Sequence, residues 1–236
     1  MENTSVDLSR PSYYVEPDSR IYRFKRKLTL KPVLDIITKT VGHRKDFSLL
    51  EIGTGSGFLL TFLESEFPKA KLTGVEYDQR LVTLTRSKLK NAKILQGNAE
   101  ELDLKNETFD VIVSLQVIEH LYRPELMLAS VKEHLAPGGT FIFTSPNLTG
   151  CGARIMKEKW HGYRDDHVSM KEFAQWSPFL QNLGFTPLYC GSTFFTGIPL
   201  LNRLPLGILN WGLLYLFGSL RWKYGESFVG IFRLTQ

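Results

Sequence analysis

Leu49-Leu50-Glu51-Ile52 runs without a break into Gly53-Thr54-Gly55-Ser56-Gly57, which runs directly into Phe58-Leu59. Few folds use an apolar strand that ends in alternating glycines and restarts as a helix. Glycine lets the backbone turn tightly and approach a ligand with no Cβ between them. The helix start that follows offers unpaired N–H groups. A dinucleotide fingerprint, GxGxxG, would need its third glycine at position 58. Phenylalanine stands there, and the third glycine comes one residue early. No pyrophosphate cradle is spelled out.

The rest of the chain tells what kind of sheet this strand belongs to. Apolar periodicity predicts helices over 21–40, 58–67, 81–90, 126–135 and 169–183, with Pro32 dividing the first and Pro178 kinking the last. It predicts strands over 47–52, 71–76, 92–96, 109–114, 140–145, 185–190 and 227–234. Strand and helix alternate at the spacing of βαβ units, which argues for a mostly parallel sheet with helices on both faces. In such sheets ligands bind at the carboxyl ends of the strands.

Three further segments lie at those ends. The second strand finishes in Gly74-Val75-Glu76-Tyr77-Asp78. A carboxylate there can accept both hydroxyl protons of a ribose, because it has two acceptor oxygens. Gly97-Asn98-Ala99-Glu100 follows the third strand. Phe109 to Leu121 reads FDVIVSLQVIEHL, and Leu135-Ala136-Pro137-Gly138-Gly139 precedes another apolar strand.

In this order the segments resemble the motifs of the class I S-adenosylmethionine-dependent methyltransferases. They are most like the ubiquinone-biosynthesis-like and type 11 groups. The resemblance implies a Rossmann-like, doubly wound, mostly parallel seven-stranded sheet with an antiparallel last strand. It implies S-adenosylmethionine as cofactor and S-adenosylhomocysteine as product. Glu51 would hold the cofactor's ammonium end, with Gly53, Thr54, Gly55 and Gly57 packing on its amino acid part. Glu76 would take the ribose, with Tyr77 beside the adenine. Asn98, Ala99 and Glu100 would form the loop that meets the adenine amine, an amide replacing the usual aspartate. Leu115 and Gln116 would line the cofactor.

A sulfonium methyl is already activated, so positioning and exclusion of water can supply much of the catalysis. A base is needed only where proton loss helps the attack. Trp160 to His167 follows the fifth strand and is dense in aromatic, acidic and imidazole groups. His167 is the first candidate base and His161 the second, against a packing role for each. Some O-methyltransferases that the chain resembles bind a divalent metal through ExxEH and a later histidine. Here Gln116, Glu119, His120 and His167 match, with glutamine replacing the first glutamate and removing one charge. The expectation is that no metal is bound, with Glu119, His120 and His167 as the alternative site.

The whole reads as one domain over 1–236: an N-terminal helical cap over 1–40, a cofactor core over 41–147, and insertions over 148–168 and 191–226 at the ligand face. The second insertion is strongly apolar from Leu206 to Leu220, too short for the about 20 residues of a membrane span. A lid over an apolar acceptor, peripheral membrane contact through 194–223 and a dimer contact compete for it.

The formal charge is +5, with a basic run at Arg20, Arg23, Lys25, Arg26, Lys27 and Lys31. No Cys/His finger or RNA-binding aromatic signature accompanies it, which argues against nucleic acid. Two isolated cysteines and a polar N-terminus predict the cytoplasm, with membrane association as the variant. The expected reaction is methyl transfer to a small or lipid-like acceptor, at oxygen by resemblance. The competing classes are a nucleotide-cofactor oxidoreductase, which the glycine spacing opposes, and a non-catalytic methyltransferase-like binding protein, which Glu76 and the glycine loop oppose.

Overall fold

A computed structural model of the chain describes residues 20–194, 198–203 and 205–235. The N-terminal part of the expected cap, 1–19, lies outside them. The first helix, α1 (Arg20–Val41), continues through Pro32 without dividing. Then strand and helix alternate as β1 (Ser48–Ile52), α2 (Phe58–Glu66), β2 (Lys71–Glu76), α3 (Gln79–Lys88), β3 (Lys93–Gln96), β4 (Phe109–Leu115), α4 (Pro124–His134) and β5 (Leu135–Pro146). The chain finishes with α5 (Cys151–Met156), α6 (Phe173–Asn182), β6 (Phe185–Thr193), α7 (Leu206–Phe217), β7 (Ser219–Leu220) and β8 (Ser227–Leu234).

The strands form one sheet in the order β3-β2-β1-β4-β5-β8-β6-β7. β1 to β5 are parallel neighbours, and β8 inserts antiparallel between β5 and β6. The expected seven strands and antiparallel last strand are present. An eighth, the two-residue β7, pairs with Ser192 and Thr193 at the edge. It is a turn of the second insertion, too short to leave a periodic signal.

Period-two alternation explains both faces. Val111 and Val113 of β4 join one core cluster with Val33, Ile37, Leu59, Leu63 and Val82. Ile112, from the same strand, joins the other with Met127, Val131, Trp176 and Leu180. Thus α1, α2 and α3 cover one face, while α4 and α6 cover the other. α6 begins at Phe173, four residues after the expected start at Ser169. Glu172 and Gln175 close a capping box there, whereas the Ser169 hydroxyl donates to the Ile118 carbonyl instead. β5 begins at Leu135, earlier than expected, with a register irregularity against β4 where the glycines fall.

Candidate functional site

The glycine loop is held by the end of β2. The Gly53 and Thr54 amides donate to the Val75 carbonyl at 2.8 and 3.1 Å. The Gly55 amide donates to Glu76 Oε2 at 2.7 Å, and the Asp78 amide to Glu76 Oε1 at 3.0 Å. Each carboxylate oxygen therefore keeps acceptor capacity for a ligand hydroxyl. Gly53 and Gly55 have φ of 77° and 52°, in the left-handed region that favours glycine. A Cβ on Gly53 would run into the Val117 side chain, whereas one on Gly55 would meet nothing within 4 Å. The bend is packed from behind and open in front, so a ligand can lie directly on the Gly55 backbone.

Under the loop sits Glu51, only 3% exposed. Its Oε2 has no hydrogen-bond partner among the described residues, and neither has Thr54 Oγ1. Burial pushes the Glu51 carboxyl well above its ordinary range; the Arg26 charge opposes that and the Glu76 charge adds to it. An orphaned buried carboxylate oxygen beside an open glycine bend fits a ligand ammonium, which would supply the missing charge and donors.

On the far side of Glu76 a cleft of about 650 Å³ is lined by Tyr77, Asp78, Gln79, Arg80, Gln96, Gly97 and Asn98. Tyr77 is 48% exposed at its edge. Asn98 Oδ1 accepts the Glu100 amide at 3.0 Å, which forms the turn and leaves a second lone pair. Glu100 accepts the Arg123 amide at 2.6 Å, and its other oxygen pairs with that guanidinium at 3.9 Å, so its carboxylate ties the loop to the start of α4. Ala99 packs against the core. Leu115 is half-buried at the end of β4. Gln116 turns outward at φ 55°, held by its amide to the Thr144 carbonyl at 3.0 Å and by Nε2 to Thr144 Oγ1 at 3.1 Å.

The turn after β4 carries a second cluster. One carboxylate oxygen of Glu119 and one ring nitrogen each of His120 and His167 lie within 4.8 Å of one another. The two imidazoles meet edge to face at 4.6 Å. His120 Nδ1 lies 3.1 Å from the Asp166 carbonyl, and His167 Nδ1 lies 2.7 Å from the Gly162 carbonyl. A ring that donates through Nδ1 presents its lone pair on Nε2, the tautomer a metal takes. Glu119 is fully buried, and neither of its oxygens has a hydrogen-bond partner among the described residues. Burial pushes its carboxyl up to about 8 and draws both histidines down. Gln116, the remaining member of the sequence pattern, is exposed and bound to Thr144.

His161, the second candidate base, faces Glu226 instead, with Nε2 3.3 Å from Oε1. The Trp160 indole N–H donates to the same oxygen. Glu226 is buried and closes the first insertion against β8. Sequence reasoning missed it. The available signal was compositional, since Glu226 is the only acidic residue after Glu172.

The strand order, the glycine bend after β1 and the carboxylate ending β2 together define a Rossmann-like α/β core with a ligand cleft at the carboxyl ends of its strands. Residues 50–143 match the family described as a methyltransferase domain. A probable S-adenosylmethionine-dependent methyltransferase of Mycolicibacterium smegmatis is 30% identical over 114 residues, 48% of this chain and 44% of that protein. The malonyl-[acyl-carrier protein] O-methyltransferase of Paenibacillus sp. (strain JDR-2) is 25% identical over 162 residues, 63% of this chain and 59% of that protein. The chain thus spans about half the length of the curated relatives it matches. Among solved structures, a plantazolicin methyltransferase in complex with SAH superposes with TM-score 0.65 at 15% identity, over 91% of this chain and 85% of that one. A methyltransferase from Clostridium acetobutylicum ATCC 824 also gives 0.65, at 14% identity over 89% and 92%. Over residues 50–143 the chain is thus similar to the S-adenosylmethionine-dependent methyltransferases.

Proposed function

We propose that the chain transfers the methyl group of S-adenosylmethionine to an oxygen of a small or lipid-like acceptor. The observation that carries this reading is the orphaned Glu51 oxygen beneath the open Gly55 backbone, one loop from Glu76. S-adenosylmethionine supplies a methyl carbon activated by a sulfonium. Glu51 would bind the ammonium of the methyl donor, and Glu76 the ribose hydroxyls. Tyr77 and the Gly97–Asn98 backbone would flank the adenine. The acceptor oxygen forms a bond to the methyl carbon as the carbon–sulfur bond breaks, and the sulfur leaves as a neutral thioether. The acceptor proton passes to a base or to water, and His167 is the base candidate nearest the turn after β4. The choice of oxygen is supported by the O-methyltransferases among the curated relatives. Calorimetry with S-adenosylhomocysteine, then an acceptor screen with radiolabelled methyl donor, tests the reading. Absence of any affinity for S-adenosylhomocysteine would defeat it.

A second reading concerns how the acceptor proton is lost. The cluster of Glu119, His120 and His167 has the composition of a divalent-metal site, two imidazoles with a buried carboxylate and backbone carbonyls behind the rings. A bound ion there would lower the pKa of an acceptor hydroxyl. Glu119 and the two histidines would hold it, and Asp166 would orient His120 from behind. Metal analysis of protein purified without chelator tests this. A metal content of zero after incubation with Mn²⁺ or Zn²⁺ would remove it.

A further inference from the structure

α7 carries no charged residue, and its two sides are unlike. Gly207, Asn210 and Leu214 are buried toward the protein. On the other side Ile208 is 67% exposed, Leu209 62%, Tyr215 53% and Leu216 72%. Their spacing, i, i+1, i+7 and i+8, places them on one stripe. Gly212, at i+4, completes that stripe and has nothing within 4 Å of where a Cβ would stand. Leu200, before the helix, is also 67% exposed. A contiguous apolar patch of this kind signals a surface that is covered in use.

In sequence, the charges on either side of it have one sign. No aspartate or glutamate occurs from Phe173 to Gly225, while Arg203, Arg221 and Lys223 flank the helix in sequence and are exposed. α1 packs beside α7 and brings Lys31, whose Nζ lies 5.5 Å from the Tyr215 ring and pairs with Asp35 at 2.5 Å, so the net positive charge of the rim comes from Arg203, Arg221 and Lys223. We propose that the exposed face of α7, with this basic rim, docks on the surface of an anionic lipid bilayer. A second copy of the chain fits less well, because an isologous contact would bring the same basic rims together. Apart from the Tyr215 hydroxyl, the side chains of the stripe offer no donor or acceptor that would fix the register of a protein partner. A bilayer interface needs only apolar area and attraction to anionic headgroups. With 12 residues, α7 is too short to cross a bilayer but suited to lie in its surface.

The position of α7 gives the docking a consequence. It lies in the connection that leaves the carboxyl end of β6, where the Phe194 amide donates to the Gly218 carbonyl at 2.8 Å. That is the edge of the sheet on which the glycine bend opens. A bilayer at α7 therefore faces the side from which an acceptor reaches the methyl donor, and it selects an acceptor dissolved in or attached to the membrane. This consequence rests on the methyl-transfer reading; the docking does not.

Co-sedimentation of the full chain with vesicles of phosphatidylcholine alone, and with added phosphatidylglycerol, tests the proposal. The expected result is binding to the anionic vesicles that weakens with salt. Ile208→Glu with Leu216→Glu should reduce the bound fraction at least about tenfold, from the loss of two buried aliphatic side chains. Both positions are exposed, so this variant should keep its S-adenosylhomocysteine affinity. Absence of binding to anionic vesicles, equal binding to phosphatidylcholine alone, or binding that the double variant leaves intact overturns the proposal. So does a solution dimer that the variant dissociates without any vesicle binding. Failure of S-adenosylhomocysteine to bind the unmodified chain would count against methyl transfer and leave the vesicle result standing.

Discussion

Glu76 accepts the Gly55 amide at 2.7 Å, so the carboxylate expected to hold the ribose is also the clamp that shapes the glycine bend. The two roles separate by substitution. Glu76→Gln keeps the size and one acceptor oxygen, but loses the charge on the hydrogen bonds from Gly55 and Asp78. A charge-assisted hydrogen bond is worth about 1.5–3 kcal/mol. S-adenosylhomocysteine affinity should fall roughly ten- to hundredfold, while the midpoint of thermal unfolding moves by only a few degrees. Titration calorimetry and a melting curve on the same sample check this. Unchanged affinity would show that Glu76 serves the loop alone.

Gly53 and Gly55 should respond to alanine in opposite ways. At Gly53 the new methyl meets Val117 and the backbone is left-handed, so the loss is one of folding, about 2 kcal/mol. At Gly55 space is open and only the conformational cost of about 1 kcal/mol applies. There the methyl stands where the ligand would lie. Gly53→Ala should lower the melting temperature more, and Gly55→Ala should weaken S-adenosylhomocysteine binding more. Paired melting and binding measurements distinguish them.

The cluster after β4 has a readout that does not need catalysis. A ligand that binds only the folded state stabilises it by about 2.7 kcal/mol at a hundred times its Kd. Mn²⁺ or Zn²⁺ should therefore raise the melting temperature of chelator-treated protein by several degrees. His167→Ala should abolish that rise, because it removes one of three ligands. An equal rise in the variant would show that the ion binds elsewhere.

What could be read in advance follows from the range of each interaction. The β1 strand, the bend at Gly53–Gly57 and the carboxylate of Glu76 lie within one βαβ unit, where period and glycine spacing fix geometry. Glu119, His120 and His167 were legible as a pattern, but their meeting depends on Asp166 and Gly162 carbonyls that no pattern names. The hold of Asn98 on the Glu100 amide and of Glu100 on the Arg123 amide was not legible, because a motif names residue types and not their partners. The Trp160–Glu226 contact joins residues 66 apart in sequence and has no local signature. α7 reads as apolar all round, so the sequence could not tell its buried side from its exposed one.

Asp110 gives a pH-dependent test of the fold itself. Its partial burial opposes ionisation, but the Ser48 amide and hydroxyl and the Arg44 guanidinium outweigh this and hold the carboxyl below its ordinary range. Those contacts, at 2.8, 2.9 and 3.0 Å, tie β4 to β1 and to the turn after α1. The folded-state pKa is depressed, so the stabilisation is fully present above the unfolded value of about 3.9. It is lost as pH falls through the lower, folded one. Asp110→Asn should cost about 1–2 kcal/mol at pH 7, the worth of hydrogen bonds to a charged group that is partly exposed. The cost should shrink as the pH is lowered below about 4, because the wild-type carboxylate is then being neutralised as well. Urea unfolding of both proteins from pH 7 down to the acid limit checks the sign. A difference that stays constant or grows toward acid would place the origin of the stabilisation elsewhere than in the charge on Asp110.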